Sequence, residues 1–299
     1  MSETISRVQI VLHRLVGTRV HGALGSDGVG SVSRVRIRVG HSADPDDAFM
    51  FWALEAGVVD PRGFRFEQVV SDIETLNGWA TEGRLEVTAI SLGAYPEVAD
   101  TYVLLPHGAS FGIGYGPIVV AREELDPREA EIVIPGRRTT AYQTLRFALG
   151  DDVRVRELPF DEILDEVVSG RADAGLLIHE GQITYEAAGL RKLLDLGRWW
   201  QDETGLPLPL GVNAARRDLG EALPEVSAVL GEAIRAGLDR REEALAYAEQ
   251  FGRGIDRETA DRFVAMYVNE LTCDYGETGR RAVDEFLRRA GAAAPARYA

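Results

Sequence analysis

The chain has 299 residues, of which 45% are hydrophobic and 27% charged, as is typical of a globular protein with a sizeable core. Its net charge of −15 argues against nucleic acid and anionic membranes as partners. The one cysteine, Cys273, excludes an internal disulfide and a cysteine-based zinc cluster, and no apolar run reaches the roughly 20 residues of a membrane span.

The first 33 residues are expected to form a poorly ordered extension. They contain a short apolar stretch, 8–12, and then a Gly/Ser-rich stretch, 22–33, that is typical of a flexible linker. The apolar stretch runs into His13-Arg14 and lacks the basic start, the longer apolar segment and the cleavage site of a secretory signal. We therefore expect a cytoplasmic protein.

Strands and helices alternate from residue 35 onward. Apolar and polar residues alternate at 35–39, which predicts a strand, and an apolar run predicts a helix at 48–56 with Asp46 or Asp47 as its N-cap. Further along the chain, the pattern predicts strands at 65–70, 85–90 and 102–105 and helices at 73–82 and around 94–95.

Around 115–120 the chain is expected to cross into a second lobe. That lobe would contain strands at 131–134, 153–158 and 174–178 and helices at 141–149 and 160–169, and 206–212 would be the return crossing before a helical C-terminal part. The alternation predicts largely parallel sheets. Two crossings predict a discontinuous first lobe, 34–116 plus 210–299, around a second lobe, 117–209. This is the layout of a two-lobed, periplasmic-binding-protein-like (type 2) α/β fold with a ligand cleft between the lobes.

Polar residues follow several predicted strands at their carboxyl ends, where open α/β sheets bind ligands. Thr139 and Thr140 stand at a helix start, where their hydroxyls could donate to a ligand and backbone N–H groups could bind a carboxylate; helix capping is the alternative. Ser91 ends another strand and is interpreted as a ligand hydrogen-bonding residue, because the sequence shows no acid–histidine relay for a nucleophile.

His179 is the one histidine at the end of a predicted core strand. An imidazole titrates near neutrality and can act as a general base; a core histidine bonded to backbone or to Glu180 is the alternative. The remaining histidines are expected in the extension (His13, His21), at the surface (His107), or in a loop where capping or exposure explains them (His41).

An acidic cluster follows the first predicted strand and contains Asp44, Asp46 and Asp47. It lacks the ligand alternation and the later glutamate of a calcium loop. We therefore expect it to cap a helix and orient a polar substrate, and we predict no metal site.

Five long motifs occur in order along the chain: Asp72-x-Glu74-Thr75-Leu76-Asn77-x-Trp79-Ala80, Tyr115-Gly116-Pro117-Ile118-Val119-Val120, Pro135-Gly136-Arg137-x-Thr139-Thr140-Ala141-Tyr142, Gly175-Leu176-x-Ile178-His179-Glu180 and Thr204-Gly205-Leu206-Pro207-Leu208-Pro209-Leu210-Gly211. Through these motifs, nearly all of 35–290 resembles the 1,4-dihydroxy-6-naphthoate synthases of the futalosine route to menaquinone.

The resemblance implies a cofactor-free carbon–carbon lyase that breaks cyclic dehypoxanthine futalosine, a small carboxylate substrate, to give 1,4-dihydroxy-6-naphthoate. His179 matches the histidine proposed as the base that takes a proton next to the substrate ketone. The residues implied or expected to contact the substrate are Ala89, Ile90, Ser91, Thr139, Thr140, Ala141 and Asp46.

One segment departs from the family. Where the family commonly has Ser-x-Cys-Pro-Asn-Asp-Thr-Phe, this chain has Ser42-Ala43-Asp44-Pro45-Asp46-Asp47-Ala48-Phe49. An ionised aspartate only accepts hydrogen bonds, whereas asparagine also donates, so Asp46 opens the question of substrate identity. The alternatives are chorismate dehydratase of the same pathway and a small-anion solute-binding protein, which has the same fold and needs no positioned base. The sequence does not indicate an oligomeric state.

Overall fold

The computed structural model describes residues 35–251 and 256–299, so the predicted extension lies outside the described residues. Residues 34–299 belong to one compact unit. Within the part of the chain that the structure describes, no helix is long and apolar enough to cross a membrane.

The described residues contain eleven strands. In chain order these are β1 (Val35–His41), β2 (Phe64–Val70), β3 (Val87–Ser91), β4 (Tyr102–Leu104), β5 (Ser110–Gly112), β6 (Ile118–Ala121), β7 (Ile132–Ile134), β8 (Val155–Glu157), β9 (Ala174–Leu177), β10 (Arg191–Asp195) and β11 (Leu208–Arg216).

Twelve α-helices are found in the same ranges. They are α1 (Pro45–Glu55), α2 (Ile73–Thr81), α3 (Tyr95–Val98), α4 (Thr140–Leu149), α5 (Phe160–Val168), α6 (Gly181–Thr184), α7 (Leu196–Thr204), α8 (Leu223–Asp239), α9 (Arg241–Ala248), α10 (Arg257–Tyr267), α11 (Glu270–Cys273) and α12 (Gly276–Arg289). The predicted strands and helices of both halves are confirmed to within a few residues, whereas β5, β6, β10, β11, α6 and α7 were not predicted.

The strands form two sheets. The first has the order β2-β1-β3-β11-β4 with β5 paired to β11, and the second has the order β10-β6-β9-β7-β8. The chain therefore leaves the first sheet after β5 and returns to it at β11. The lobe boundaries of the sequence analysis, 34–116 plus 210–299 and 117–209, stay a prediction.

Both sheets are mixed, so the expectation of largely parallel sheets is wrong. β1 runs parallel to β2 and β3, and β7 runs parallel to β8 and β9, but β11 and β6 are antiparallel to all their neighbours. These two strands occupy the segments that were predicted as crossings. Their backbone is largely buried, and buried N–H and C=O groups need partners that a sheet ladder supplies.

Helix α1 is the central helix of the core beside the first sheet. Its residues 45–53 are all buried, so it is apolar on every side apart from its first turn, as expected for a helix surrounded by other elements. The prediction that Asp46 or Asp47 caps this helix is wrong, because the helix begins at Pro45, a favoured first residue, and Asp44 takes the N-cap position.

Candidate active site

A cavity lies where the carboxyl ends of β1 and β3 face those of β7 and β9, and the centre of a water-sized sphere can occupy about 90 Å³ of it. Because helices begin beside these strand ends, the cavity receives their first turns and the loops before them. Its polar lining includes Ser42, Asp46, Asp47, Ser91, Ser110, Thr139, Thr140, His179, Gln182, Asn213 and Tyr267.

His179 lies two residues after the end of β9, and its side chain is 20% exposed. Its Nδ1 lies 3.1 Å from Oδ2 of Asp44, and its ring meets that of Phe160 edge-on with centroids 4.9 Å apart. Nε2 is buried and has no hydrogen-bond partner among the described residues. An imidazole nitrogen in a cavity wall with no protein partner is suited to take a proton from a bound molecule.

The backbone of His179 is left-handed, with φ +53°. Residues other than glycine rarely adopt this conformation, and where they do so it often marks a functional site. Gln182, in the first turn of the next helix, stabilises this backbone conformation. When its side-chain amide is oriented so that both the oxygen and the nitrogen form hydrogen bonds, the oxygen accepts from the His179 N–H at 3.1 Å and the nitrogen donates to the carbonyl of Gly116.

Asp46 and Asp47 lie in the first turn of α1 and are both buried. Asp47 accepts from the backbone N–H and the hydroxyl of Ser42, each at 2.7 Å. Asp46 accepts from the Ser110 hydroxyl at 3.3 Å, while its Oδ1 has no hydrogen-bond partner among the described residues. Burial, and then the negative charges of Asp47 and Asp44, raise the pKa of Asp46 well above its ordinary range. A protonated Asp46 can donate a hydrogen bond, unlike an ionised one.

Thr139 and Thr140 begin helix α4. The Thr139 hydroxyl caps the helix, accepting from the N–H of Tyr142 at 3.1 Å and donating to the carbonyl of Gly136 at 2.7 Å. The Thr140 hydroxyl donates to the carbonyl of Leu210 in β11 at 2.6 Å. Contrary to expectation, neither hydroxyl hydrogen is left for a ligand; a ligand could instead meet the N–H groups of Thr140 and Ala141, which have no intrahelical partner.

Ser91 and Ala89 line the cavity from β3, but Ile90 between them does not. Successive side chains of a strand point to opposite faces, and Ile90 is fully buried in the core on the other face. The Ser91 hydroxyl accepts from Nδ2 of Asn77 at 3.2 Å, which leaves its own hydrogen for a ligand.

Five polar residues of the cavity were missed by the sequence interpretation: Ser42, Ser110, Gln182, Asn213 and Tyr267. Asn213 lies on β11, donates to the carbonyl of Gly108 at 3.0 Å, and keeps a buried Oδ1 without a partner among the described residues. The Tyr267 hydroxyl lies 3.0 Å from the amide oxygen of Gln182. Tyr267 belongs to the C-terminal part that was predicted only as helical, and Gln182 and Asn213 lie outside the predicted strands and helices, so no pattern marked them.

The histidines outside the cavity serve the fold. His107, expected at the surface, is 6% exposed, and Nε2 donates to the carbonyl of Ser227 at 2.8 Å. His41 is fully buried, and its ring nitrogens lie 2.8 Å from the carbonyl of Ser42 and the side-chain oxygen of Gln68. Across the described ranges, no group of three or more His, Cys, Asp or Glu could hold a metal ion.

Comparison with known proteins finds one protein family and relatives that share one enzyme name. A family profile described as "Menaquinone biosynthesis" matches residues 37–292. A 1,4-dihydroxy-6-naphthoate synthase of Thermus thermophilus is 44% identical over 267 residues, 87% of this chain and 96% of the relative. An enzyme of the same name from Streptomyces coelicolor is 38% identical over 263 residues, 86% of this chain and 93% of the relative.

Solved structures agree on the fold. A protein of Archaeoglobus fulgidus superposes with a TM-score of 0.83 at 46% identity, covering 87% of this chain and 98% of that protein. The alkanesulfonate-binding protein of Xanthomonas axonopodis superposes with a TM-score of 0.62 at 14% identity, covering 88% and 96%. The predicted periplasmic-binding-protein-like α/β fold is thereby confirmed.

Proposed function

Since this chain belongs to the menaquinone-biosynthesis family, we propose that it is the lyase that converts cyclic dehypoxanthine futalosine to 1,4-dihydroxy-6-naphthoate, with His179 as general base. The observation that carries the proposal is the buried Nε2 of His179, which has no partner among the described residues and belongs to a residue that lines the cavity. A protein that only binds an anion needs no such group.

The substrate carboxylate would bind at the start of α4. The N–H groups of Thr140 and Ala141 belong to the first turn of a ten-residue helix, and the helix dipole favours negative charge there. Binding the carboxylate at this fixed point would hold the substrate ketone near His179. Proton abstraction would then be an effectively unimolecular step within the enzyme–substrate complex.

Nε2 of His179 would then take the proton from the carbon next to the ketone. The electron pair of that C–H bond forms an enolate, whose charge develops on the ketone oxygen, and the enolate starts ring opening. A hydrogen-bond donor aimed at this oxygen lowers the barrier. The Ser91 hydroxyl and an Asp46 carboxyl kept protonated by its raised pKa would each offer such a donor, and these steps use only groups of the chain and the substrate.

The test is incubation of the full chain with cyclic dehypoxanthine futalosine, with product detection by mass. We expect 1,4-dihydroxy-6-naphthoate from the wild type and a loss of at least ~10²-fold in turnover in His179→Ala, the usual scale for a general base. Substrate affinity, measured by calorimetry, should change little in this variant. Retained turnover in His179→Ala would overturn the assignment of the base.

The same assay separates the two rival functions. Turnover of chorismate instead of the futalosine derivative would identify a dehydratase of the same pathway. Tight binding without any product would identify a solute-binding protein, and it would direct attention to Asp46 as the cause of a changed ligand.

A further inference from the structure

Asp44 stands at the N-cap of α1, yet its side chain makes no capping hydrogen bond. An N-cap aspartate usually accepts from the first turn, and losing that bond costs roughly 0.5–2 kcal/mol. Here its Oδ2 lies 3.1 Å from Nδ1 of His179, and the residue is 2% exposed. A buried carboxylate is costly unless it is paired, so the contact with His179 accounts for the orientation of the side chain.

We propose that Asp44 is the positioning residue of His179: its carboxylate accepts the hydrogen of Nδ1 and so keeps Nε2 unprotonated and directed at the substrate. In a neutral imidazole, the hydrogen bond made by one ring nitrogen determines which nitrogen carries the hydrogen. An ionised carboxylate can only accept a hydrogen bond, so the nitrogen that faces it carries the hydrogen. The inference rests on the proposed function in one respect, which is that His179 is the base.

Two further contacts restrain the same imidazole. The edge-on ring of Phe160 fixes the plane of the imidazole from one side. The backbone of His179 is fixed by its left-handed turn and by the bond from its N–H to Gln182. With ring and backbone both held, the 3.1 Å contact of Nδ1 with Oδ2 of Asp44 would decide which nitrogen carries the hydrogen.

The charges near the imidazole favour the same role. Two other carboxyl groups lie at the start of α1. Asp47 accepts hydrogen bonds from Ser42, and the raised pKa of Asp46 favours its neutral form. Burial also raises the pKa of the Tyr267 phenol, so that neighbour is uncharged. Asp44 is therefore the carboxyl group of this cluster that contacts the ring, and a carboxylate at that place would stabilise the imidazolium formed by proton abstraction.

Asp44 and His179 come from different sheets, since Asp44 follows β1 and His179 follows β9. The pair therefore exists only while the two strand ends face each other. Any separation of the sheets would remove this contact of Nδ1, so the proposed role of Asp44 depends on the arrangement of the two sheets that the structure shows.

The first test needs no substrate. The full chain labelled with ¹⁵N-histidine contains five histidines, and His179→Gln identifies the signals of His179 in a long-range ¹H–¹⁵N spectrum. We expect the wild type to show the Nδ1–H form of His179, and Asp44→Leu to lose its preference for that form. The Nε2–H form in the wild type would overturn the proposal, whether or not any variant folds.

The second test is kinetic. Asp44→Leu should lower kcat by ~10²-fold or more, as removal of an orienting aspartate does elsewhere, with KM changed less than roughly threefold. In a His179→Ala background the same substitution should cost nothing further, because the two residues act as one unit. Asp161→Asn removes an exposed carboxylate next to Phe160 and is the matched control, expected to keep wild-type turnover.

These readouts separate the two proposals. A wild type with the Nδ1–H form but no turnover of the futalosine derivative would leave the positioning role standing and refute the proposed function. Wild-type turnover together with additive losses in the double variant would support the proposed function and refute the positioning role of Asp44.

Discussion

The side-chain amide of Asn77 bonds Ser91 twice: Oδ1 accepts from the backbone N–H of Ser91 at 2.8 Å, and Nδ2 donates to its hydroxyl at 3.2 Å. Asn77 is fully buried in α2, so these bonds fix the end of β3 from within the protein. Ser91 can therefore present its hydroxyl to the cavity in one orientation.

Asn77→Ala should destabilise the protein more than Ser91→Ala. The first substitution leaves a buried N–H without its acceptor, at a cost of roughly 1–3 kcal/mol, whereas the second removes one weaker bond of about 1 kcal/mol. Urea unfolding of the three proteins measures both differences. Equal stabilities would mean that Asn77 does not hold the strand end.

Asp46→Asn should stabilise the protein at neutral pH. The pKa of Asp46 is higher in the folded than in the unfolded state, so the folded state binds more protons and the wild type loses stability as pH rises above about 4. Asparagine has the same shape and does not ionise, so the variant escapes this loss. Thermal unfolding should give equal Tm values near pH 4 and a higher Tm for the variant at pH 7; parallel curves would contradict the burial of a protonated Asp46.

Substrate binding at the start of α4 can be tested with two variants of one residue. Thr140→Val removes the hydroxyl that donates to Leu210 but keeps the backbone N–H. Thr140→Pro removes the N–H as well, at the first helical position, where proline is well tolerated. We expect Thr140→Pro to bind the substrate at least ~10-fold more weakly than Thr140→Val, since a hydrogen bond to a charged group is worth about 1.5–3 kcal/mol. Equal Kd values in calorimetry would place the carboxylate elsewhere.

The sequence predicted those parts of the cavity that repeat a local rule. A strand followed by a helix places polar residues at the carboxyl end of the sheet, and this rule identified His179, Ser91 and the threonines of α4. Period-two alternation also explains why Ile90 does not line the cavity while its neighbours do.

The rest of the cavity depends on contacts between distant segments. The partner of His179 is Asp44, on the other sheet, and its position follows from how the sheets face each other. Asn213 was missed because no strand was predicted where β11 lies: its first part, 208–212, was predicted as a crossing. His107 was expected at the surface because it lies among glycines, but its loop packs under α8 and bonds Ser227.

His107 should make stability depend on pH in a defined window. Burial lowers the pKa of His107 to about 4 from the ordinary 6.5; the hydrogen bond to the Ser227 carbonyl opposes this shift, Arg235 adds to it, and Asp274 opposes it. Between these values the unfolded state binds the extra proton, so stability falls as pH falls from about 6.5 and the loss is complete near pH 4. The physical cause is that protonation would place a second N–H, on Nδ1, in a buried position without an acceptor among the described residues.

The difference in unfolding free energy between wild type and His107→Gln isolates this contribution, because all other titratable groups are present in both proteins. Glutamine can still donate a hydrogen bond but carries no charge at any pH. The advantage of the wild type over the variant should therefore shrink by up to about 3 kcal/mol from pH 7 to pH 4, at about 1.4 kcal/mol for each unit of pKa shift. Urea unfolding at pH 7, 5.5 and 4.5 measures it, and a constant difference would show that His107 titrates at its ordinary pKa inside the fold.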